Sequence, residues 1–310
     1  MALSTLLDCF TEKKVISTVK DSNIDTYSIN DIELKKLQIV LLSILKDFKE
    51  ACDKYGVSFM LASGTALGAV RHGGFIPWDD DIDIVMTRSN YNQFLNFAFK
   101  ELESKYILAK PLDDNYIYRW PKLLLKDSKL TELMYEGVPS DYQKIFIDIF
   151  IADYVPNNKI VRTIKGITYK AVVILTSASI DYHYPSKPLI EFSKTNAYLK
   201  VYYGVRRAIG KISSLFFNLN DYLKLAALIE NNPKKTNQMC YLVGHNDYYN
   251  TFDSSVFTDL IEVDFEGEKM PISKHYDIYL KSLYGEDYME LPPENKKEKH
   301  FYCALQFPND

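Results

Sequence analysis

The sequence lacks the cysteine pattern of a metal-binding or disulfide-stabilised protein. Four cysteines are scattered over 310 residues, at Cys9, Cys52, Cys240 and Cys303, with no CxxC pair and no histidine cluster beside them. Such spacing predicts neither a zinc site nor a disulfide framework. We therefore expect a protein of a reducing compartment, the cytoplasm.

Long hydrophobic runs are also missing. The N-terminus has Asp8 after only a few apolar residues, which is not the pattern of a signal peptide. The longest weakly polar stretch, residues 167–180, contains Lys170 and is shorter than the roughly 20 residues that cross a bilayer. Apolar residues make up 47% of the chain and charged residues 25%, as in ordinary globular domains. We expect a soluble fold without a membrane span.

Two common ligand-binding loops are absent from the sequence. No GxxxxGK[ST] motif occurs, which excludes a Walker A phosphate loop. If Asp79 is taken as the first position of an EF-hand, Ile84 stands where glycine is required and Asn90 where glutamate is required. The acidic run around Asp79 is therefore not an EF-hand calcium loop.

The charge of the chain is unevenly distributed. The formal net charge is −4, but residues 156–215 contain ten Lys or Arg against only Asp181 and Glu191. A basic block in an acidic protein favours an anionic partner at that place, either membrane headgroups or a phosphate-bearing polymer. A solvated helical face would give the same pattern. We expect no nucleic-acid partner.

Hydrophobic periodicity predicts a mixed α/β (α+β) core over residues 30–155. Asn30 or Asp31 is expected to cap the first helix. The predicted helices lie at about 30–55, 66–70 and 89–104, and the predicted strands at 57–62, 81–85, 117–125 and 144–151.

The following region, 156–255, is basic and is predicted to be largely helical. Within residues 198–216 the apolar positions form one stripe, and Lys200, Arg207 and Lys211 lie on another face. This pattern fits a helix at a membrane interface and fits equally a helix packed on the core. We expect charge reversal at Arg206, Arg207 and Lys211 to release the protein from anionic vesicles.

Two aspartates alternate with isoleucines in Asp81-Ile82-Asp83-Ile84. Residues two apart in a strand point the same way, so both carboxylates are expected on one side. Such neighbours repel each other unless a hard cation, Mg²⁺ or Mn²⁺, compensates their charge. Asp148, a charged residue in an otherwise apolar strand, is the best candidate for a third carboxylate. A structural salt bridge is the alternative role for Asp148.

The turn Ser63-Gly64-Thr65 precedes a predicted helix, where backbone N–H groups can hold a phosphate. Arg71 and His72, at the end of that helix, are expected to add positive charge to the same pocket. Neither the turn nor the acidic cluster is specific alone, since acidic clusters are commonly solvated loops. Their order along the chain is what makes an active site the favoured interpretation.

Residues 63–84, SGTALGAVRHGGFIPWDDDIDI, closely resemble the signature of the LicD family. The strand at 146–150 looks like that family's later strand with a third aspartate. The segments 265–267 and 276–280, together with His300, resemble its C-terminal motif. The resemblance implies a nucleotidyltransferase-like mixed-sheet core with flanking helices, to which the charge and periodicity of residues 156–255 add a largely helical basic insertion. It also implies transfer of phosphocholine from CDP-choline to sugars of teichoic acid or lipopolysaccharide. Fukutin-type proteins, which handle ribitol phosphate, share the signature.

The resemblance also implies roles for individual residues. Asp81, Asp83 and Asp148 would bind one or two Mg²⁺ (or Mn²⁺) ions, and Asp148 would orient or deprotonate the acceptor hydroxyl. Further candidates for binding the donor are Ser63, Gly64, Thr65, Arg71, His72, His300 and, more weakly, Lys122. Rings such as Trp78 and Trp120 are candidates for cation–π contact with the choline ammonium.

The predicted organisation has four parts. Residues 1–29 form an N-terminal extension, 30–155 the catalytic core, 156–255 the basic helical region that contacts a membrane or the acceptor, and 256–310 the C-terminal region that completes the active site. The acceptor is expected to be a lipid-linked glycan at the inner face of the plasma membrane. Alternative functions are transfer of glycerol or ribitol phosphate, a nucleotidyltransferase that keeps the nucleotide on the acceptor, and a non-catalytic glycan- or membrane-binding module.

Overall fold

The computed structural model describes residues 27, 29–232, 234–241, 250–293, 297 and 300–308. The predicted N-terminal extension, 1–29, lies almost entirely outside these residues. The α-helices of the described part are α1 (Asp31–Lys54), α2 (Ser63–His72), α3 (Arg88–Asn96), α4 (Lys159–His183), α5 (Lys187–Ser193), α6 (Ala197–Ser213), α7 (Leu219–Glu230), α8 (Ser255–Thr258) and α9 (Tyr276–Tyr284). The strands are β1 (Met60–Leu61), β2 (Asp83–Thr87), β3 (Tyr106–Ala109), β4 (Lys122–Leu125), β5 (Lys129–Glu132), β6 (Phe146–Tyr154), β7 (Gln238–Tyr241), β8 (Phe252–Asp253), β9 (Leu260–Phe265), β10 (Glu268–Ser273) and β11 (Tyr302–Gln306).

A mixed sheet with β6 at its centre organises the molecule. Its path runs β1-β2-β6-β4-β3, and β7 pairs with the second half of β6 and with β8. The β2–β6 pair is parallel, and the other pairs of this sheet are antiparallel. Helices flank the sheet, so the predicted α/β class with a mixed sheet and flanking helices is confirmed.

Helix α1 shows why its prediction from sequence succeeds. The Asn30 side chain accepts hydrogen bonds from the N–H groups of Ile32 and Glu33, and the Glu33 side chain accepts one from Asn30 N–H, which completes a capping box. One face of the helix enters the core through Leu37, Leu41, Ile44, Leu45 and Phe48. The predicted range of about 30–55 matches the observed helix within one residue at each end.

Several predicted boundaries differ from the structure. Strands β1 (Met60–Leu61) and β4 (Lys122–Leu125) are shorter than the predicted 57–62 and 117–125. Helix α2 begins at Ser63, so the predicted turn 63–65 is the first turn of the helix. Strand β2 begins at Asp83 instead of 81, so Asp81 precedes the strand. The predicted helix 89–104 ends at Asn96 because Phe97 has a non-helical φ of −129°, and a short 3₁₀ turn follows from Ala98 to Glu101.

The predicted helical region after residue 156 contains α4 to α7, although β7 from the same region joins the central sheet. Tyr169 and Val172 of α4 pack with Tyr222, Ala226 and Ile229 of α7 in a separate apolar cluster. None of the described helices is both long and apolar enough to cross a membrane.

Arg206, one of the three residues expected to hold the protein on anionic vesicles, is not an exposed charge. The side chain is only 4% exposed and pairs with Asp181 of α4. The prediction that Arg206 is an exposed membrane-contacting charge, like Arg207 and Lys211, is therefore wrong. Helices α6 and α4 approach each other closely at Gly210, where a Cβ would lie 2.1 Å from the Ala178 carbonyl oxygen. The face of α6 that carries Arg206 and Gly210 is therefore inaccessible to a membrane.

Candidate active site

Three neighbouring strands bring Asp83, Asp148 and Lys122 together. Asp83 is the register partner of Asp148 in the parallel β2–β6 pair, and Lys122 is its partner in the antiparallel β4–β6 pair. The Asp148 N–H group donates to the Ile82 carbonyl oxygen at 2.9 Å, which fixes this register next to the site. The structure thus places Asp83 and Asp148 side by side.

Asp148 is both a site carboxylate and half of a buried ion pair. The Lys122 Nζ atom and the Trp120 Nε1 atom both donate to Asp148 Oδ1, each at 2.8 Å. Lys122 is 2% exposed, and its Nζ atom lies 3.3 Å from the centroid of the Phe146 ring. Lys122 is therefore engaged by Asp148, and Asp148 Oδ2 takes part in neither of these two contacts.

The acidic run before β2 folds into a compact cluster. Asp79, Asp80 and Asp81 each offer a carboxylate oxygen, and these atoms all lie within 4.8 Å of one another. Asp79 Oδ2 is buried without a hydrogen-bond partner among the described residues. Asp80 Oδ1 lies 2.7 Å from His300 Nδ1, so His300 reaches the site through Asp80.

The cluster carries more negative charge than its surroundings balance. Burial, and then the neighbouring aspartates, raise the pKa values of Asp79 and Asp83 well above the usual carboxyl range. Burial also raises the pKa of Asp81 to about 6. Loss of hydration alone would lower the pKa of His300, but the Asp80 carboxylate more than reverses this and raises it well above its ordinary value. Buried carboxylates with raised pKa values favour a bound cation.

The first turn of α2 lies against the cluster. Ser63 has a left-handed backbone with φ of 44°, an uncommon conformation for a residue other than glycine. Its N–H group donates to Tyr279 Oη at 3.0 Å, and Tyr279 Oη lies 2.6 Å from Tyr241 Oη. The Ser63 hydroxyl oxygen lies 3.4 Å from Tyr241 Oη. Two tyrosines from distant segments thus hold a strained serine beside the aspartates.

The same helix N-terminus is a candidate anion-binding element. Ala62, the cap residue, supplies no side-chain hydrogen bond to the first turn. A Cβ at Gly64 would lie 3.1 Å from Asp79 Oδ2, so glycine permits this close approach of the backbone to the cluster. The Thr65 hydroxyl oxygen accepts a hydrogen bond from Asp83 N–H at 2.9 Å and thereby positions β2. An uncapped helix N-terminus is a common phosphate-binding element.

Two predicted donor-binding residues, Arg71 and His72, lie at the end of α2 opposite to Ser63. Arg71 and His72 end α2, about 12 Å along the helix from Ser63. Arg71 Nη1 donates to the carbonyl oxygens of Tyr288 and Glu290 at 2.9 and 3.1 Å, and its Nε atom donates to His72 Nε2 at 3.0 Å. Arg71 thus fixes the segment after α9.

The two candidate tryptophans have different surroundings. The Lys297 Nζ atom lies 4.2 Å from the centroid of the Trp78 ring, so that ring already contacts a cation. Trp120 is attached to the site through its hydrogen bond to Asp148. Of the two rings, Trp120 is the one fixed beside the central carboxylate.

Sequence reasoning assigned no chemical role to Asp79, Tyr241 or Tyr279. Asp79 stands in the acidic run, and Gln38 Nε2 of α1 donates to its carbonyl oxygen at 2.9 Å. The Trp78-Asp79 sequence could have marked Asp79 as part of the site. Tyr241 has no local signal of this kind, whereas Tyr279 lies in the segment 276–280 that resembles the family's C-terminal motif. Both reach the site from more than 170 residues away along the chain.

Comparison with known proteins identifies relatives of this chain. The family model for the LicD/FKTN/FKRP nucleotidyltransferase domain matches residues 56–184. The lipopolysaccharide cholinephosphotransferase LicD of Haemophilus influenzae is 30% identical over 278 residues, which cover 87% of this chain and 96% of that protein. An uncharacterised protein of Rickettsia typhi is 28% identical over 40% of each chain. An uncharacterised protein of Rickettsia prowazekii is 40% identical over 22% of this chain and 24% of its own.

The region matched by the family model includes α2, β2, β4 and β6, the elements that bring the aspartates together. The Haemophilus influenzae relative extends the similarity over most of both chains. On these grounds, this chain is a transferase that belongs to the LicD family.

Proposed function

We propose that the protein transfers phosphocholine from CDP-choline to a hydroxyl group of a cell-surface glycan and releases CMP. The acceptor would be a lipopolysaccharide, teichoic acid or capsule precursor. The observation that carries the proposal is the alignment of Asp83 with Asp148 beside the first turn of α2, whose cap residue Ala62 supplies no side-chain hydrogen bond. The name of the Haemophilus influenzae relative, a lipopolysaccharide cholinephosphotransferase, supports this choice of transferred group and acceptor.

The carboxylate cluster fits a divalent cation, which we propose to be Mg²⁺ or Mn²⁺. Its oxygen-only donor set is the one that these ions prefer. The unpartnered Asp79 Oδ2 and the raised pKa values of Asp79 and Asp83 support the same conclusion, because they indicate a need for positive charge. Asp81 of this cluster would hold the ion together with Asp83 and Asp148 of the adjacent strands, with Asp79 beside them. When bound, the ion would neutralise the charge of the donor diphosphate and of the departing CMP.

The residues of the chain supply the remaining steps. The first-turn N–H groups at Gly64 and Thr65 would bind a phosphate of the donor, aided by the positive end of α2. Lys122 and Trp120 hold Asp148 Oδ1, which fixes this carboxylate at the site. Its other oxygen would accept the hydrogen bond of the acceptor hydroxyl and orient it for in-line attack on the phosphorus.

A panel of donors tests the reaction class. The protein is incubated with Mg²⁺, a lipopolysaccharide-derived acceptor, and CDP-choline, CDP-glycerol or CTP in turn, and nucleotide release and acceptor mass are measured. We expect CMP release with CDP-choline and an acceptor heavier by one phosphocholine group. Transfer of CMP to the acceptor would show a nucleotidyltransferase instead.

A pair of variants links this activity to the aspartates of the site. Asp83→Asn keeps the shape of the side chain but removes a carboxylate, and we expect a loss larger than the roughly 10–100-fold typical of removing an outer-shell partner of a metal. Asp141→Asn, at an exposed aspartate outside the cluster, is the matched control and should keep full activity. Equal activity of the two variants would refute the proposed site.

A further inference from the structure

Helix α6 directs an apolar stripe towards solvent. Val201, Val205 and Ile212 are 66%, 38% and 61% exposed, and their spacing of four and seven residues puts them on one face of the helix. The opposite face packs against the protein through Leu199, Tyr202, Tyr203, Arg206 and Gly210. The stripe is therefore not needed for the packing of α6 onto its neighbours.

The turn after α6 continues this apolar character. Leu215, Phe216 and Phe217 are consecutive, and their exposed fractions are 76%, 74% and 56%. Single exposed apolar side chains are ordinary on protein surfaces, but a contiguous group of large ones marks a site of interaction. Two adjacent phenylalanines at a helix end are well suited to insert into an apolar layer.

Positive charge lies on the face of α6 beside this apolar group. Lys200, Arg207 and Lys211 of α6 are exposed, and none of them forms an ion pair with a described residue. The sequence has no acidic residue between Glu191 and Asp221. Arg206 is withdrawn into its pair with Asp181 and does not contribute. The exposed basic charge therefore has no compensating charge on the same element.

We propose that this face, the α6 surface, binds the headgroup region of an anionic lipid bilayer. It consists of the apolar residues Val201, Val205, Ile212, Leu215, Phe216 and Phe217 and of the basic residues Lys200, Arg207 and Lys211. Apolar side chains flanked by lysine and arginine on one helix are the pattern of an interfacial helix, which lies in the plane of the membrane. The basic side chains meet the negative headgroups while the phenylalanines enter the acyl boundary. This surface does not depend on the proposed transferase reaction.

Vesicle sedimentation tests the charge component. The full chain is mixed with vesicles of phosphatidylglycerol and phosphatidylcholine, or of phosphatidylcholine alone. We expect binding to the anionic vesicles, weakened by salt. Each lysine or arginine near such a surface contributes roughly a fivefold factor to binding, so Arg207→Glu with Lys211→Glu should weaken it at least about 25-fold. Lys35→Glu with Lys100→Glu, at exposed lysines outside α6, should leave binding unchanged.

Phe216→Ser tests the apolar component. This substitution removes apolar area that would be buried in the bilayer, so it should weaken vesicle binding by about tenfold or more. Ile39→Ser, at a similarly exposed apolar residue of α1, should leave vesicle binding unchanged. Unchanged far-UV circular dichroism confirms that each variant is folded. Full vesicle binding by Phe216→Ser and by the Arg207/Lys211 variant would overturn the proposal. It would also be overturned if the chain dimerises without vesicles and Phe216→Ser abolishes the dimer, because the surface would then be a contact between copies.

Discussion

Replacing Asp81 with asparagine should stabilise the metal-free protein, although most substitutions at buried polar sites destabilise. The pKa of Asp81 is raised from 3.8 to about 6, chiefly by burial. A difference of about 2 pKa units between the folded and the unfolded protein means that ionised Asp81 lowers the free energy of unfolding by about 3 kcal/mol. Asparagine keeps the shape and carries no charge, so the variant should recover up to that amount.

The pH dependence of this effect has a defined sign. Because the folded-state pKa is the higher one, the folded protein retains a proton over a pH range in which the unfolded chain has lost it. The destabilisation by Asp81 is therefore absent below pH 3.8, grows as the pH rises, and is complete above about pH 6. The stability difference between the variant and the wild type should follow this curve.

Urea denaturation in EDTA, over a pH series that brackets these two values, measures the difference directly. Asp141→Asn, at an exposed position, is the control and should show no such curve. In Mg²⁺ the stability advantage of the variant should shrink, since the wild type gains about 2.7 kcal/mol at a hundredfold excess of ligand over Kd and the variant gains less. An Asp81→Asn variant that is less stable than the wild type in EDTA above pH 6 would refute the charge imbalance.

Three further substitutions test separate parts of the structure. Lys122→Met leaves Asp148 buried without its cation and should lower the free energy of unfolding by about 3–5 kcal/mol in urea denaturation; a loss below about 1 kcal/mol would contradict the ion pair. Tyr279→Phe removes the acceptor for Ser63 N–H, so it should lower the free energy of unfolding by about 1–3 kcal/mol. It should also lower kcat more than it raises KM for the donor, and an unaltered kcat would show that the tyrosine does not position Ser63. Asn30→Ala removes a capping box and should lower the thermal midpoint by an amount equivalent to about 1 kcal/mol, with activity unchanged.

Local signals made the elements of the core predictable. The helix at 31–54 has an amphipathic period and a capping residue within its own sequence. The apolar pattern around Asp148 marked β6 as a buried strand, and all residues from Phe146 to Phe150 are indeed buried. The start of β2 was less predictable, because its partner β1 pairs only with Ile84 and Val85 and cannot extend the strand back to Asp81.

Long-range relations account for what sequence reasoning missed. Arg206 and Arg207 are adjacent and chemically equal in the sequence, and only the position of Asp181 on α4 separates a buried arginine from an exposed one. Likewise, nothing near Ser63 reveals that Tyr279 accepts its N–H group. The register that aligns Asp83 with Asp148 also joins distant segments, so periodicity placed each on a strand but could not align them.

Strand β6 makes the chemistry of the site inseparable from the stability of the fold. Ile147 and Ile149 enter the core while Asp148 between them faces the site, and the strand is bonded on both sides. A single inserted residue upstream of Asp148 within β6 would exchange the two faces, placing a carboxylate among apolar side chains and an isoleucine beside Asp83. Mutational tolerance should therefore be lowest here, and variants that alter donor preference should accumulate in the surrounding helices and loops.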